Sequence, residues 1–133
     1  KLKFPDHKIV NTDIDEKAIK IAKQMFPEVK HQVIDMINKN YSENWAYQHN
    51  EGVFISTSIE HIHKDEVDSI MFYNPNKIVA LQSNNFYDHP THINCSKSLD
   101  DFKEYISPML KEVYYAGELY LDDYTRFMII GKT

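Results

Sequence analysis

Two rhythms of apolar and polar positions alternate along this chain. Residues 8 to 12 (KIVNT) predict a short strand that runs into the acid pair Asp13 and Asp15. Ala18, Ile19, Ala22, Met25 and Phe26 then recur at three- and four-residue spacing, which predicts an amphipathic helix with one buried stripe, stopped by Pro27. Asp13 or Asp15 can cap that helix, Asp15 being the better placed. VKHQVID (29 to 35) predicts a second strand, and 39 to 48, with Trp45, a weaker helical stretch. GVFIST (52 to 57) is apolar without alternation, the signature of a central parallel strand covered on both faces. A helix follows over 64 to 73 with Val67, Ile70 and Met71 inward, and KIVALQS (77 to 83) repeats the buried-strand signature. Ser98 with Asp101 opens a further helix that buries Leu99, Phe102 and Ile106, with Pro108 past its end. EVYYAGELYL and YTRFMIIG, linked by Asp122 and Asp123, predict a closing hairpin.

Strands that alternate with helices and end in an antiparallel pair predict an α/β fold: a three-layer sandwich, mostly parallel sheet, with a C-terminal antiparallel hairpin. Ligands of such folds bind at the carboxyl ends of the strands, so polar residues there become the candidates. A length of 133 residues suits one domain, and no linker or repeat divides it. Twenty acidic against fifteen basic residues, a net charge of -5, leave no strong nucleic-acid signal. No apolar run approaches the ~20 residues that span a bilayer, and no export signal is visible. Cys95 is the only cysteine, which rules out an intrachain disulfide and fits a reducing, cytoplasmic compartment.

Asp13 could accept hydrogen bonds from both hydroxyls of a ribose; helix capping is the equal alternative. Asp35 could accept from an adenine amino group, with Ile34 or Met36 against the ring, or be a solvated loop acid. The polar connection 83 to 96 offers Asn84 and Asn85 either to a substrate polar group or to turn chemistry. NPN (74 to 76) reads as a turn. His61, His63, His89 and His92 with Asp88 and Cys95 could be assembled into a metal site, but the HIH and HPTH spacings lack a paired-cysteine framework, so no metal is expected. His61 is better read as lining a ligand cleft and the others as loop decoration. Cys95 as a nucleophile would need a lowered thiol pKa and an oriented base, and a buried or loop thiol is preferred. The tail aromatics Tyr114, Tyr115, Tyr120, Tyr124 and Phe127 suit hairpin packing or an oligomer surface.

Taken in order, VNTDID, QVIDMI, VFISTSIEHI, KIVALQSNNF, a helix and the hairpin GELYLDDYTRFMIIG resemble class I S-adenosylmethionine-dependent methyltransferases, over nearly the whole chain from Lys8. The resemblance implies that Asp13, with Ile14, holds the ribose, that Asp35 reads the adenine with Met36 beside it, and that Ser56 and Thr57 line the methionine part. It puts Glu60, His61, Asn84 and Asn85 toward the methyl acceptor, whose identity is not readable. The implied cofactor is S-adenosylmethionine, and the implied reaction is an in-line displacement that needs orientation of donor and acceptor and no metal. Glu60 or His61 could take a proton from the acceptor, while the catalytic residues stay unassigned.

One departure stands out. The family's first strand and its glycine-rich turn would precede residue 8, and KLKFPDH supplies neither. The expectation is therefore a domain incomplete at its N-terminus, a chain that pairs with a partner or a second copy across an open sheet edge, or a rearranged strand order. A non-catalytic methyltransferase-like module that has lost the cofactor is the competing reading, and a metal-dependent enzyme using the histidines the third.

Overall fold

The computed structural model describes residues 8–35 and 52–133, so Met36, Trp45 and the helical stretch expected over 39 to 48 lie outside the described residues. The chain divides into two compact units, Lys1–Ser42 and Glu43–Thr133.

The first unit is a βαβ turn of chain. Strand β1 (Val10–Asp13) and strand β2 (Lys30–Val33) pair in parallel, from Val10 opposite Lys30 to Asp13 opposite Val33, with helix α1 (Glu16–Met25) between them. The two acids divide the work of turning strand into helix. Asp13 Oδ1 accepts from the Asp15 N–H at 2.9 Å, and Asp15 Oδ1 accepts from the Lys17 N–H at 2.8 Å, which makes Asp15 the cap. The helix ends as Phe26, driven out of helical geometry by the following proline, donates its N–H to Ala22 O. Val29 bonds back to the Phe26 carbonyl, so β2 starts one residue later than the sequence pattern predicts.

The expected apolar stripe of α1 is only partly buried. Ile19 is 3% exposed, but Met25 and Phe26 are 65% and 51% exposed. A helix is ~10 Å wide with its side chains, whereas two paired strands lie ~5 Å apart, so a two-stranded sheet cannot cover the whole stripe.

The second unit is a four-stranded sheet in the order β3-β4-β6-β5, with β3 (Val53–Ser56) parallel to β4 (Ile78–Asn84) and the remaining pairs antiparallel. Helix α2 (Lys64–Phe72) connects the parallel pair, helix α3 (Leu99–Ile106) follows β4, and β5 (Glu112–Tyr120) and β6 (Thr125–Lys132) form the expected hairpin. Burial alternates along β4 and β6, so Val79, Leu81, Phe127 and Ile129 share one face. Val67 and Met71 of α2 and Phe102 and Ile106 of α3 close over that face to make the core. Each such side chain contributes roughly 1.5–3 kcal/mol on leaving water.

Strand β3 departs from its sequence reading. It is the edge of its sheet, and Val53 and Ile55 are 55% and 64% exposed, while Phe54 packs against the core. The strand pleat sends alternate side chains to opposite faces, and only one face meets α2 and α3. Two further expectations for this unit hold at the residue level, the cap at Ser98 and the turn at 74 to 76. Ser98 Oγ accepts from the Asp101 N–H at 3.2 Å, and the turn at 74 to 76 places Asn76 at φ 61°, a left-handed conformation that asparagine tolerates. Gly131 is buried on β6, where a Cβ would lie 2.5 Å from the Glu112 carbonyl oxygen. Among the described residues no helix is long and apolar enough to cross a membrane.

Candidate functional site

In the first unit the candidate residues gather at the carboxyl ends of β1 and β2. Asp13 closes β1 and remains exposed; one of its carboxylate oxygens serves the turn to Asp15, and the other makes no hydrogen bond among the described residues. Ile14, 67% exposed, follows it. The Asp13 carbonyl accepts from the Ile34 N–H at 2.9 Å, which holds the segment leading to exposed Asp35 beside the end of β1. Two acids thus follow neighbouring parallel strands. Met36, expected beside Asp35, lies outside the described residues.

In the second unit the carboxyl ends of β3 and β4 lie side by side, because the two strands pair in parallel with Ser56 opposite Leu81. Ser56 ends β3 half-buried and Thr57 is exposed. A single 3-10 turn, Ile59–His61, then carries Glu60 inward, 2% exposed, and His61 outward. Asn84, the last residue of β4, donates from Nδ2 to Glu60 Oε1 at 2.8 Å, and its Oδ1 accepts the Phe86 N–H at 2.9 Å. Asn84 is therefore turned inward, not toward a substrate, and so is Glu60. A buried amide beside a buried carboxylate satisfies both more cheaply than either facing an apolar core alone. Asn85 is likewise committed internally, its Oδ1 accepting from the Thr125 N–H at 2.7 Å. His61 alone of these four is exposed.

The connection after β4 folds back onto this turn. Both Ile93 and Asn94 donate their N–H groups to the Glu60 carbonyl, at 2.9 and 3.0 Å. This brings His92 to His61, with ring centroids 4.6 Å apart, and His89 to within 4.8 Å of His92. The His92 ring also meets Phe86 edge-on, and Phe86 stacks on Tyr124. The sequence reads His89 and His92 as loop decoration and gives Thr91 no role; the signal was HPTH inside the longest polar connection, which becomes informative only once that loop is tied to Glu60. His63 goes elsewhere, its N–H bonded to Glu66 Oε2 at the start of α2.

Cys95 is half-buried, its Sγ 3.5 Å from Asn84 Oδ1. Burial, and then the negative charge of Glu60, push its thiol above the ordinary value, the opposite of what a nucleophile requires. Nearby, an open polar depression of about 400 Å3 is lined by Lys64, Cys95, Ser96, Asp101, Glu104 and Tyr105. Tyr105 donates to the Lys64 carbonyl, and burial followed by the charge of Asp68 pushes its hydroxyl up to about 12.

No protein-family model matches the sequence, and no curated protein matches it significantly. Solved structures do match the fold. N-methyltransferase NodS from Bradyrhizobium japonicum WM9 aligns over 95% of this chain and 73% of its own, at 8% identity and a TM-score of 0.64. The magnesium protoporphyrin IX methyltransferase ChlM from Synechocystis PCC 6803, solved with bound SAM, aligns over 93% of this chain and 59% of its own, at 12% identity and a TM-score of 0.58. The chain has a class I methyltransferase-like fold. The PH0226 protein from Pyrococcus horikoshii OT3 aligns over 96% of this chain and 73% of its own, at 12% identity and a TM-score of 0.53. In each unit by itself the candidate residues lie at strand carboxyl ends, where α/β sheets bind their ligands.

Proposed function

We propose that the chain is a methyltransferase domain that binds S-adenosylmethionine and transfers its methyl group to an acceptor still to be identified. The observation that carries this reading is the pair of acids, Asp13 and Asp35, that follow neighbouring parallel strands in a fold shared with methyltransferases. The donor set suits a nucleoside: a ribose diol and an adenine amino group donate hydrogen bonds, and two carboxylates accept them. The cofactor, when bound, supplies a methyl group made electrophilic by the sulfonium. Asp13, with Ile14, would hold the ribose and Asp35, with Met36, the adenine. Ser56 and Thr57 are assigned to the methionine part from the sequence resemblance. His61, exposed on its turn, is the candidate to orient the acceptor or take its proton, whereas Glu60, Asn84 and Asn85 hold the turn and the loop in place. A cytoplasmic setting agrees with the single, half-buried thiol.

Calorimetry of the purified chain with S-adenosylmethionine and S-adenosylhomocysteine tests this. Saturable heat should appear, and Asp13→Ala should weaken it roughly ten- to hundredfold, the loss of a charged hydrogen bond worth about 1.5–3 kcal/mol. No heat at millimolar ligand would remove the cofactor from the reading.

One observation favours a second reading, a non-catalytic module completed by a partner chain or a second copy. Strand β3 has a sheet edge without a strand partner among the described residues, and it exposes Val53 and Ile55. Such edges recruit further strands. Light scattering that returns a monomer at every concentration would exclude the second copy.

A further inference from the structure

We propose that Glu60, His61 and His92 form a binding site for a divalent transition cation of the zinc class, with at least one coordination position left open. A carboxylate oxygen of Glu60 and one ring nitrogen of each histidine all lie within 4.8 Å of one another. This departs from the sequence-based expectation of no metal, and it does so because the fold recruits Glu60, a residue outside the set of histidines, Asp88 and Cys95 from which that expectation was formed.

A second, independent observation points to a ligand. Glu60 is 2% exposed, and while its Oε1 accepts from Asn84, its Oε2 is buried with no hydrogen-bond partner among the described residues. A carboxylate oxygen held out of water without a donor is expensive, and such a group calls for a compensating partner, a bound cation among them. Among the described residues no lysine or arginine forms a salt bridge with Glu60.

Both histidines have Nδ1 engaged by the connection after β4. His92 Nδ1 lies 2.6 Å from the Phe86 carbonyl oxygen, which can only accept, so Nδ1 carries the proton and the lone pair belongs to Nε2. His61 Nδ1 is engaged by Thr91, 3.1 Å from its carbonyl oxygen and 2.9 Å from its hydroxyl, which leaves Nε2 as the nitrogen without a Thr91 contact. A backbone carbonyl on one ring nitrogen with the other left for metal is the usual outer-shell arrangement of metal-bound histidine. The Thr91 hydroxyl, 2.9 Å from Nδ1 of both His61 and His89, ties His89 to this network as an outer neighbour.

Two ligands 2.1 Å from a tetrahedral ion stand about 3.4 Å apart, so closure on the ion requires rotation of the rings, and His61 is exposed enough to supply it. Two imidazoles with one carboxylate favour zinc, cobalt or iron over magnesium or calcium, which prefer all-oxygen shells. Three protein ligands leave room for water or a substrate oxygen, the pattern of an open rather than a structural site.

The full chain, stripped with chelator, should take up one equivalent of Co2+ with visible absorption bands, displaced by one equivalent of Zn2+, in the absence of any methyl donor. Glu60→Gln, His61→Ala and His92→Ala should each weaken binding by at least the roughly tenfold cost of losing even an outer-shell partner. His63→Ser, which alters a histidine of the helix cap, should bind like the unsubstituted chain. Circular dichroism checks each variant, and if Glu60→Gln does not fold the two histidine variants decide. Absence of saturable one-equivalent binding, or equal binding by the unsubstituted chain and the two histidine variants, overturns the site. Because no cofactor is present, this result is independent of the methyl-donor calorimetry.

Discussion

The two units of this chain earn their order differently. The first, β1-α1-β2, has few described buried apolar side chains, Ile19 and Ile34 among them, and leaves Met25 and Phe26 in water. The second closes Val67, Met71, Val79, Leu81, Phe102, Ile106, Phe127 and Ile129 into a dry cluster. Both carry polar groups at strand ends, yet Asp13 and Asp15 of the first are surface groups held by turn and cap hydrogen bonds, whereas Glu60 of the second sits inside the structure. A surface acid meets a polar ligand at little desolvation cost. A buried one must be compensated, and its partners restrict what it can do.

The sharpest way to break this comparison is to open the second unit's core. Phe102→Ala should cost about 3–5 kcal/mol, seen as a fall in the urea midpoint with the slope unchanged. A loss below about 1 kcal/mol, the centre of all point substitutions, would mean that the cluster does not carry the unit. Gly131→Ala comes next. The added methyl meets the Glu112 carbonyl across the hairpin, and forcing the strands apart should cost about 1–3 kcal/mol in the same assay.

The smallest effects belong to the first unit. Asp15→Ala removes the α1 cap and should cost about 1 kcal/mol, visible as lost helical circular dichroism. Met25→Ser, on the exposed end of the same helix, should change stability by no more than ~0.5 kcal/mol. A larger loss there would show that the stripe is covered in solution and that the sequence-based helix reading was right about its full width.

Much of the architecture was legible because it is local. The Asp15 cap, the Ser98 cap, the turn at Asn76 and the hairpin around Asp122 and Asp123 each depend on a few neighbouring residues whose hydrogen-bonding options are few. The strand run 52 to 57 misled because an unbroken apolar sequence reports composition, while burial on both faces depends on what other elements supply. The candidate site was half legible for the same reason. Asp13 and Asp35 follow strands that the pattern itself predicts, but the role of Asn84 depends on where the Glu60 turn lies.

By itself the sequence determined the order of strands and helices, the helix starts and the acids that follow the first two strands, since these follow from side-chain periodicity and short-range hydrogen bonding. Only tertiary structure decided that Glu60 turns inward, that His92 comes back across thirty-one positions to meet His61, and that Asn84 serves the fold before any ligand. Those outcomes are set by parallel pairing of β3 with β4 and by the loop hydrogen bonds to the Glu60 carbonyl, interactions between residues that no sequence spacing makes neighbours.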